Sequence, residues 1–136
     1  MKSTNYHRTL IEVAEDCPVN AGTIPTDSRN KKTIASLQFD LIYSSPFKYN
    51  SDQVLFTVYA FRKGLNDDEM EDERIRFLSK GQPCFRSSPL PKIYGWGVYS
   101  NSEGKIALFG KESAAYQNLL LDDSVHKTKA MRKKKA

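Results

Sequence analysis

The chain has 136 residues, a formal net charge of +5 and 39% hydrophobic residues, which is enough to bury a core in one domain without disulfides or a structural metal. No apolar run approaches the roughly 20 residues of a membrane span, and the N-terminal segment contains no signal-peptide apolar stretch. We therefore expect a single-domain cytoplasmic protein, with no membrane segment, whose two cysteines are reduced thiols.

The positive charge is concentrated near the C-terminus. Six cations and no acid lie within residues 127–135. Without them, 15 basic residues face 16 acidic ones, so the rest of the chain has a net charge of −1. The pattern predicts a folded domain over residues 1–125 and a basic, disordered tail over residues 126–136. Such a tail attracts nucleic acid at most weakly and without sequence preference.

The N-terminal half combines a strand, a long loop and two further segments. Residues 8–14 are apolar and partly β-branched and predict a strand, whereas residues 16–30 are rich in turn-forming residues and predict a loop. Apolar residues at helical spacing, with Thr33 as a candidate N-cap, predict a helix over residues 33–45. Residues 52–62 leave helix and strand open. Their aromatic and β-branched content suits a strand, whereas their polar start and apolar spacing favour a short buried helix.

The C-terminal half combines helices with a hairpin. Residues 67–80 begin with acids and end with bases, which complements a helix dipole, and Gly81 is a candidate C-terminal cap. Residues 93–110 place two apolar segments around an Asn-Ser-Glu-Gly turn and predict an antiparallel hairpin, and residues 112–121 predict a short amphipathic helix. Together these elements predict an α+β fold with a small, mainly antiparallel sheet and three or four helices on one side.

Residues 81–97 concentrate side chains that recognise ligands. The candidates are Arg86, Ser88, Lys92, Tyr94 and Trp96. The two cations and the hydroxyl suit an anion, and the two rings suit a planar group. If residues 84–88 form a strand, Arg86 points away from the core. The pattern predicts a binding module for an anionic ligand, either nucleotide-like or a nucleic acid. The alternative is that these side chains only support the fold.

Two other functions remain open. Cys84 or Ser87 is a candidate nucleophile for a small enzyme, but such catalysis needs a nearby base, and His7 and His126 lie in no catalytic motif. We therefore assign no catalytic residue. The aromatic hairpin of residues 93–110 alternatively suits a homodimer interface. Neither a metal nor a cofactor is expected, because the short ligand spacings of zinc sites and the glycine loops of phosphate sites are absent.

Several stretches of the sequence form a recognisable pattern. They are TNYHRTLIEVAEDCP, KKTIASLQF, SDQVLF, GQPCFRSSPLPKIYGWG, GKIALFG and KAMR. Together they resemble a small bacterial family catalogued as a domain of unknown function. The resemblance covers nearly the whole chain, and the GQPC and SPLPK.YGWG motifs are its most specific part. It implies a bacterial, single-domain, cytoplasmic protein and brings no activity, substrate or cofactor.

Overall fold

A computed structural model describes residues 2–132 and contains one four-stranded mixed sheet. Its strands are β1 (Thr9–Glu12), β2 (Trp96–Ser100), β3 (Ile106–Gly110) and β4 (His126–Lys129). The strand order is β3-β2-β1-β4. β2 pairs antiparallel with both β1 and β3, whereas β4 pairs parallel with β1. The sheet is therefore mainly antiparallel, with one parallel edge strand.

Five α-helices accompany the sheet within the described part of the chain. They are α1 (Ile34–Ser44), α2 (Ser51–Lys63), α3 (Met70–Ser79), α4 (Pro89–Lys92) and α5 (Ala114–Leu121). Short 3-10 helices at Asp67–Glu69 and Phe85–Ser87 precede α3 and α4. The α+β class is confirmed, although the number of helices exceeds the predicted three or four. No helix within residues 2–132 has the length and apolarity needed to cross a membrane.

Local sequence explains where the first two helices begin. Thr33 caps α1, as predicted, because its side chain accepts a hydrogen bond from the Ser36 amide. Asn50 and Gln53 form a capping box at the start of α2, in which each side chain bonds the other's backbone. Residues 52–62, for which helix and strand remained open, are therefore helical.

The two faces of the sheet pack against different helices. Successive strand residues point to opposite faces, and accordingly Leu10 and Ile11 belong to separate apolar clusters. Ile11 lies in the larger cluster, with α1, α2 and Phe85. Leu10 packs with Val125 and with Tyr116 of α5. Helices therefore cover both faces of the sheet, rather than one side as predicted.

The C-terminal boundary of the domain is corrected by the structure. Residues 126–129, which the sequence assigns to a disordered tail, form β4 and pair with β1. Ala130 is 5% exposed and belongs to the larger core cluster. Glu15 forms ion pairs of 2.9 and 2.8 Å with Lys129 and Arg132. The strand was not predicted because the segment is highly charged. Its charged side chains face water, while its backbone pairs with β1. The rest of the predicted tail, residues 133–136, lies outside the described residues.

Candidate functional site

The indole of Trp96, the predicted stacking surface, is a core side chain. It is 8% exposed, and its Nε1 donates a 2.8 Å hydrogen bond to the Thr23 carbonyl. Two aromatic rings of α1 pack against it. Gly22 approaches so closely that a Cβ there would lie 2.8 Å from the indole ring. The loop of residues 16–30 thus covers Trp96, and glycine allows this loop to approach.

The predicted strand at residues 84–88 is instead a 3-10 turn that leads into α4. The Arg86 Nε donates a 2.7 Å hydrogen bond to the Lys129 carbonyl, which ties this turn to β4. Ser88 is 6% exposed and caps α4 by accepting a hydrogen bond from the Leu90 amide. The prolines at positions 89 and 91 favour the start of a helix here. Arg86 and Ser88 therefore do not lie on one face, as they would in a strand whose side chains alternate between two faces.

The remaining two predicted residues are partly buried at the end of α4. Lys92 is its last residue, and Tyr94 follows shortly after it. The Tyr94 carbonyl accepts a 2.8 Å hydrogen bond from the Thr23 amide, so it faces the same loop that covers Trp96. The side chains of Arg86, Ser88 and Trp96 therefore bond different neighbours, which are β4, α1 and the long loop.

The two candidate nucleophiles have no histidine partner within residues 2–132. The Cys84 Sγ lies 3.2 Å from the Tyr6 hydroxyl. The pKa of Tyr6 is raised to about 12, mainly because the hydroxyl is buried and secondly because of this hydrogen bond. The Ser87 hydroxyl donates to a methionine sulfur at 3.0 Å, and the His7 ring lies instead beside the Ser102 carbonyl. The contacts therefore do not assemble a nucleophile with a base.

Two adjoining cavities lie between α1, α2, α3 and the segment that follows α3. The volume of the larger is about 280 Å³ and that of the smaller about 170 Å³. Both are lined by Ile34, Gln38, Leu55 and Phe77. Because the cavities share these walls, they form one elongated depression, which we call the helical groove. Cys84 lines only the larger cavity, and Arg62 lines only the smaller one.

One face of α2 forms a long wall of the helical groove. Leu55, Val58, Tyr59 and Arg62 follow one another at i, i+3, i+4 and i+7 and share this face. From Leu55 to Arg62 the helix rises roughly 10 Å, at about 1.5 Å per residue. The wall is largely apolar until its last residue, so the groove ends at a cation.

A cationic loop adjoins this end of the groove. We call Arg29, Lys31, Lys32 and Arg62 the cationic mouth, since these four line a common depression. Lys32 forms a 2.9 Å ion pair with Asp40, and this hydrogen bond raises the pKa of Lys32. The other three cations form no ion pair within residues 2–132. Their charge therefore remains available to an anion.

One polar side chain interrupts the apolar lining of the groove. Gln38 is 3% exposed and lines both cavities. Its Oε1 accepts a 2.6 Å hydrogen bond from the Ser88 hydroxyl, whereas its amide nitrogen has no acceptor within residues 2–132. Fully buried side-chain nitrogen or oxygen atoms without a hydrogen-bond partner occur in this part of the chain only at Ser51 and Ser100. The amide N–H groups of Gln38 therefore reach the open space of the groove.

Neither Gln38 nor Arg62 was predicted from the sequence as a site residue. A signal for Gln38 exists, since it stands four residues after Ile34, where a polar residue interrupts the apolar face of α1. Arg62 has a similar signal, because it continues the groove-facing stripe of α2. Neither signal reveals that the two residues border one cavity, which depends on how the helices pack. No group of three or more His, Cys, Asp or Glu residues within the described range is arranged to hold a metal ion.

The architecture and the groove define a small α+β protein with a largely apolar groove between its helices. The whole chain, residues 1–136, matches the family of unknown function DUF6157, and the chain belongs to this family. The family resemblance expected from the sequence motifs is thereby confirmed. No curated protein and no solved structure matches the chain.

Proposed function

We propose that this protein binds a small amphipathic anion, whose apolar part occupies the helical groove and whose charged group meets the cationic mouth. The observation that carries this proposal is the continuity of a largely apolar cleft with a cluster of cations at Arg62. Ligand sites are typically concave and mostly apolar, with a few polar groups that fix the orientation of the ligand. The helical groove combines both properties.

The magnitudes assign different roles to the two parts of the site. Burial of one methylene group contributes about 0.8 kcal/mol, so a chain of several methylenes contributes several times that amount before binding costs. An exposed ion pair contributes only about 0.2–1 kcal/mol, and Arg62 is exposed. The apolar groove therefore supplies most of the affinity, and the cations determine which end of the ligand lies outward.

An anionic ligand agrees with the interpretation from sequence, but the proposed site moves from residues 81–97 to the helical groove. Ser88 belongs to both sites, because it borders the larger cavity. The groove walls favour a hydrocarbon chain over a nucleotide, since Ile34, Leu55 and Val58 present aliphatic surface and no polar edge that matches a base.

Calorimetric titration with tridecanoate tests the proposal. We expect saturable binding that Arg62→Glu weakens roughly 3- to 10-fold, because the reversal replaces an attraction by a repulsion. Arg74→Glu is the matched control, since Arg74 is an exposed cation of α3 and lines none of the cavities described above. Equal weakening by both variants would show general electrostatics, and absence of saturable binding would refute the proposal.

Reaction of the cysteines with a thiol reagent gives a second, independent readout. Cys84 lines the larger cavity, so bound tridecanoate is expected to slow its modification. Cys17 is the internal control, because it packs against the core clusters instead. If the ligand protects both thiols equally, or neither, it does not occupy the groove.

A further inference from the structure

Gln38 places two hydrogen-bond donors in the middle of a largely apolar groove. Its side chain is almost fully buried, and its oxygen is already used by Ser88. What remains is the amide nitrogen, which can donate but cannot accept. A ligand that fills the groove without offering an acceptor would leave this amide unpaired in an apolar environment, which is unfavourable, so a ligand that supplies an acceptor here gains affinity over one that does not.

We infer that the ligand of the helical groove carries a carbonyl oxygen between its apolar tail and its anionic group, and that Gln38 donates a hydrogen bond to this oxygen. The corresponding chemical class is an acyl chain joined through an ester or amide to a short carboxylic acid. This inference rests on the proposed function and adds the specificity of the same site.

The order of groups along the groove supports this class. Gln38 lines both cavities, so it lies where they meet. The larger cavity extends from there towards Pro83 and Cys84 and accommodates the tail. The smaller cavity extends towards Arg62. A carbonyl at Gln38 therefore lies between the tail and the cationic mouth, which is the order of groups in an acylated glycine.

The charge distribution argues against placing the carboxylate itself at Gln38. A carboxylate there would be desolvated without a cation, which is costly, and the cationic mouth would remain unused. A carbonyl is an acceptor only and matches the free donors.

The test compares N-decanoylglycine with tridecanoate, which has the same chain length and the same terminal carboxylate but no internal carbonyl. We expect Gln38→Met to weaken binding of N-decanoylglycine about 3- to 10-fold, the range for loss of one hydrogen bond, and to leave binding of tridecanoate unchanged. Gln117→Met is the matched control, because it makes the same substitution at an exposed glutamine of α5 that lines neither cavity. It is expected to change binding of neither ligand.

The outcomes separate this inference from the proposed function. If Gln38→Met weakens both ligands equally, or if only tridecanoate binds, the inference fails while the proposed function stands. If neither compound binds the wild-type protein, both fail. Infrared spectroscopy with a carbon-13-labelled carbonyl provides a measurement on the wild-type protein, in case Gln38→Met does not fold. The amide carbonyl stretch is expected to move to lower frequency on entering the groove, relative to the ligand in a dry alkane, and an unshifted band would overturn the inference.

Discussion

The contact between Gly97 of β2 and the ring of Tyr116 in α5 can be tested by adding one methyl group. A Cβ at position 97 would lie 2.7 Å from Cδ1 of this ring and still closer to Cε1. The ring cannot retreat freely, because its hydroxyl accepts a 3.0 Å hydrogen bond from the buried Val13 amide. Overpacking costs about 1–3 kcal/mol, and an unpaired buried amide costs about 1–3 kcal/mol more.

The substitution also offsets part of this cost, because glycine in the middle of a strand is less favourable than alanine by roughly 0.5–1 kcal/mol. Gly97→Ala is therefore expected to reduce the free energy of unfolding by about 3 kcal/mol, measured by urea denaturation. In a Tyr116→Leu background the clash is absent, so the same substitution is expected to cost less than about 1 kcal/mol. A similar cost in both backgrounds would refute the reasoning, because the damage would then not pass through the ring.

Two further predictions concern the C-terminal strand and the long loop. Deleting residues 126–136 removes β4 and is expected to lower the free energy of unfolding in urea by about 2 kcal/mol or more. Deleting residues 133–136 alone is expected to lower it by less than about 0.5 kcal/mol. Equal effects of the two deletions would contradict the contribution of the strand. The Gly22 amide donates a hydrogen bond to Glu112 and lowers the pKa of this carboxyl below its ordinary value of 4.5. The ionised carboxylate therefore stabilises the folded state above pH 4.5, and this stabilisation is lost as the pH falls below that value. Thermal unfolding of Glu112→Gln is therefore expected to show a flatter profile than wild type between about pH 5 and pH 3, and superimposable profiles would argue against this contact.

Elements with strong local signals were predictable from sequence. Thr33 begins α1 because a threonine cap precedes an apolar helical pattern, and the hairpin of β2 and β3 follows from two apolar segments around a turn. β4 lacked such a signal. Its sequence, HKTK, is charged, and its stability as a strand derives from pairing with β1, more than 100 residues earlier in the chain. A parallel pairing over this separation leaves no mark in the local sequence.

The candidate site was less predictable, and Trp96 shows why. Gly95 and Gly97 flank this residue in the sequence, and glycines allow a ligand or another backbone segment to approach closely. The structure shows the chain's own loop at this position, since a Cβ on Gly95 would collide with the Ala21 carbonyl. The helical groove, in contrast, is formed by side chains that read individually as ordinary helix residues. Its existence depends on the distances between three helices, which composition and spacing do not specify.

The position of β1 between β2 and β4 has a consequence for folding during synthesis. Of the four described strands, β1 comes first in the chain and lies in the interior of the sheet, and its partners β2 and β4 follow more than 80 residues later. Both edges of β1 therefore stay unpaired until residues 96–100 have been synthesised, and one edge stays unpaired until residues 126–129 have been synthesised. Contacts between distant parts of a chain slow folding, and an open strand edge can pair with another molecule. Chains that stop before residue 126 would leave this edge of β1 unpaired and able to pair with another molecule.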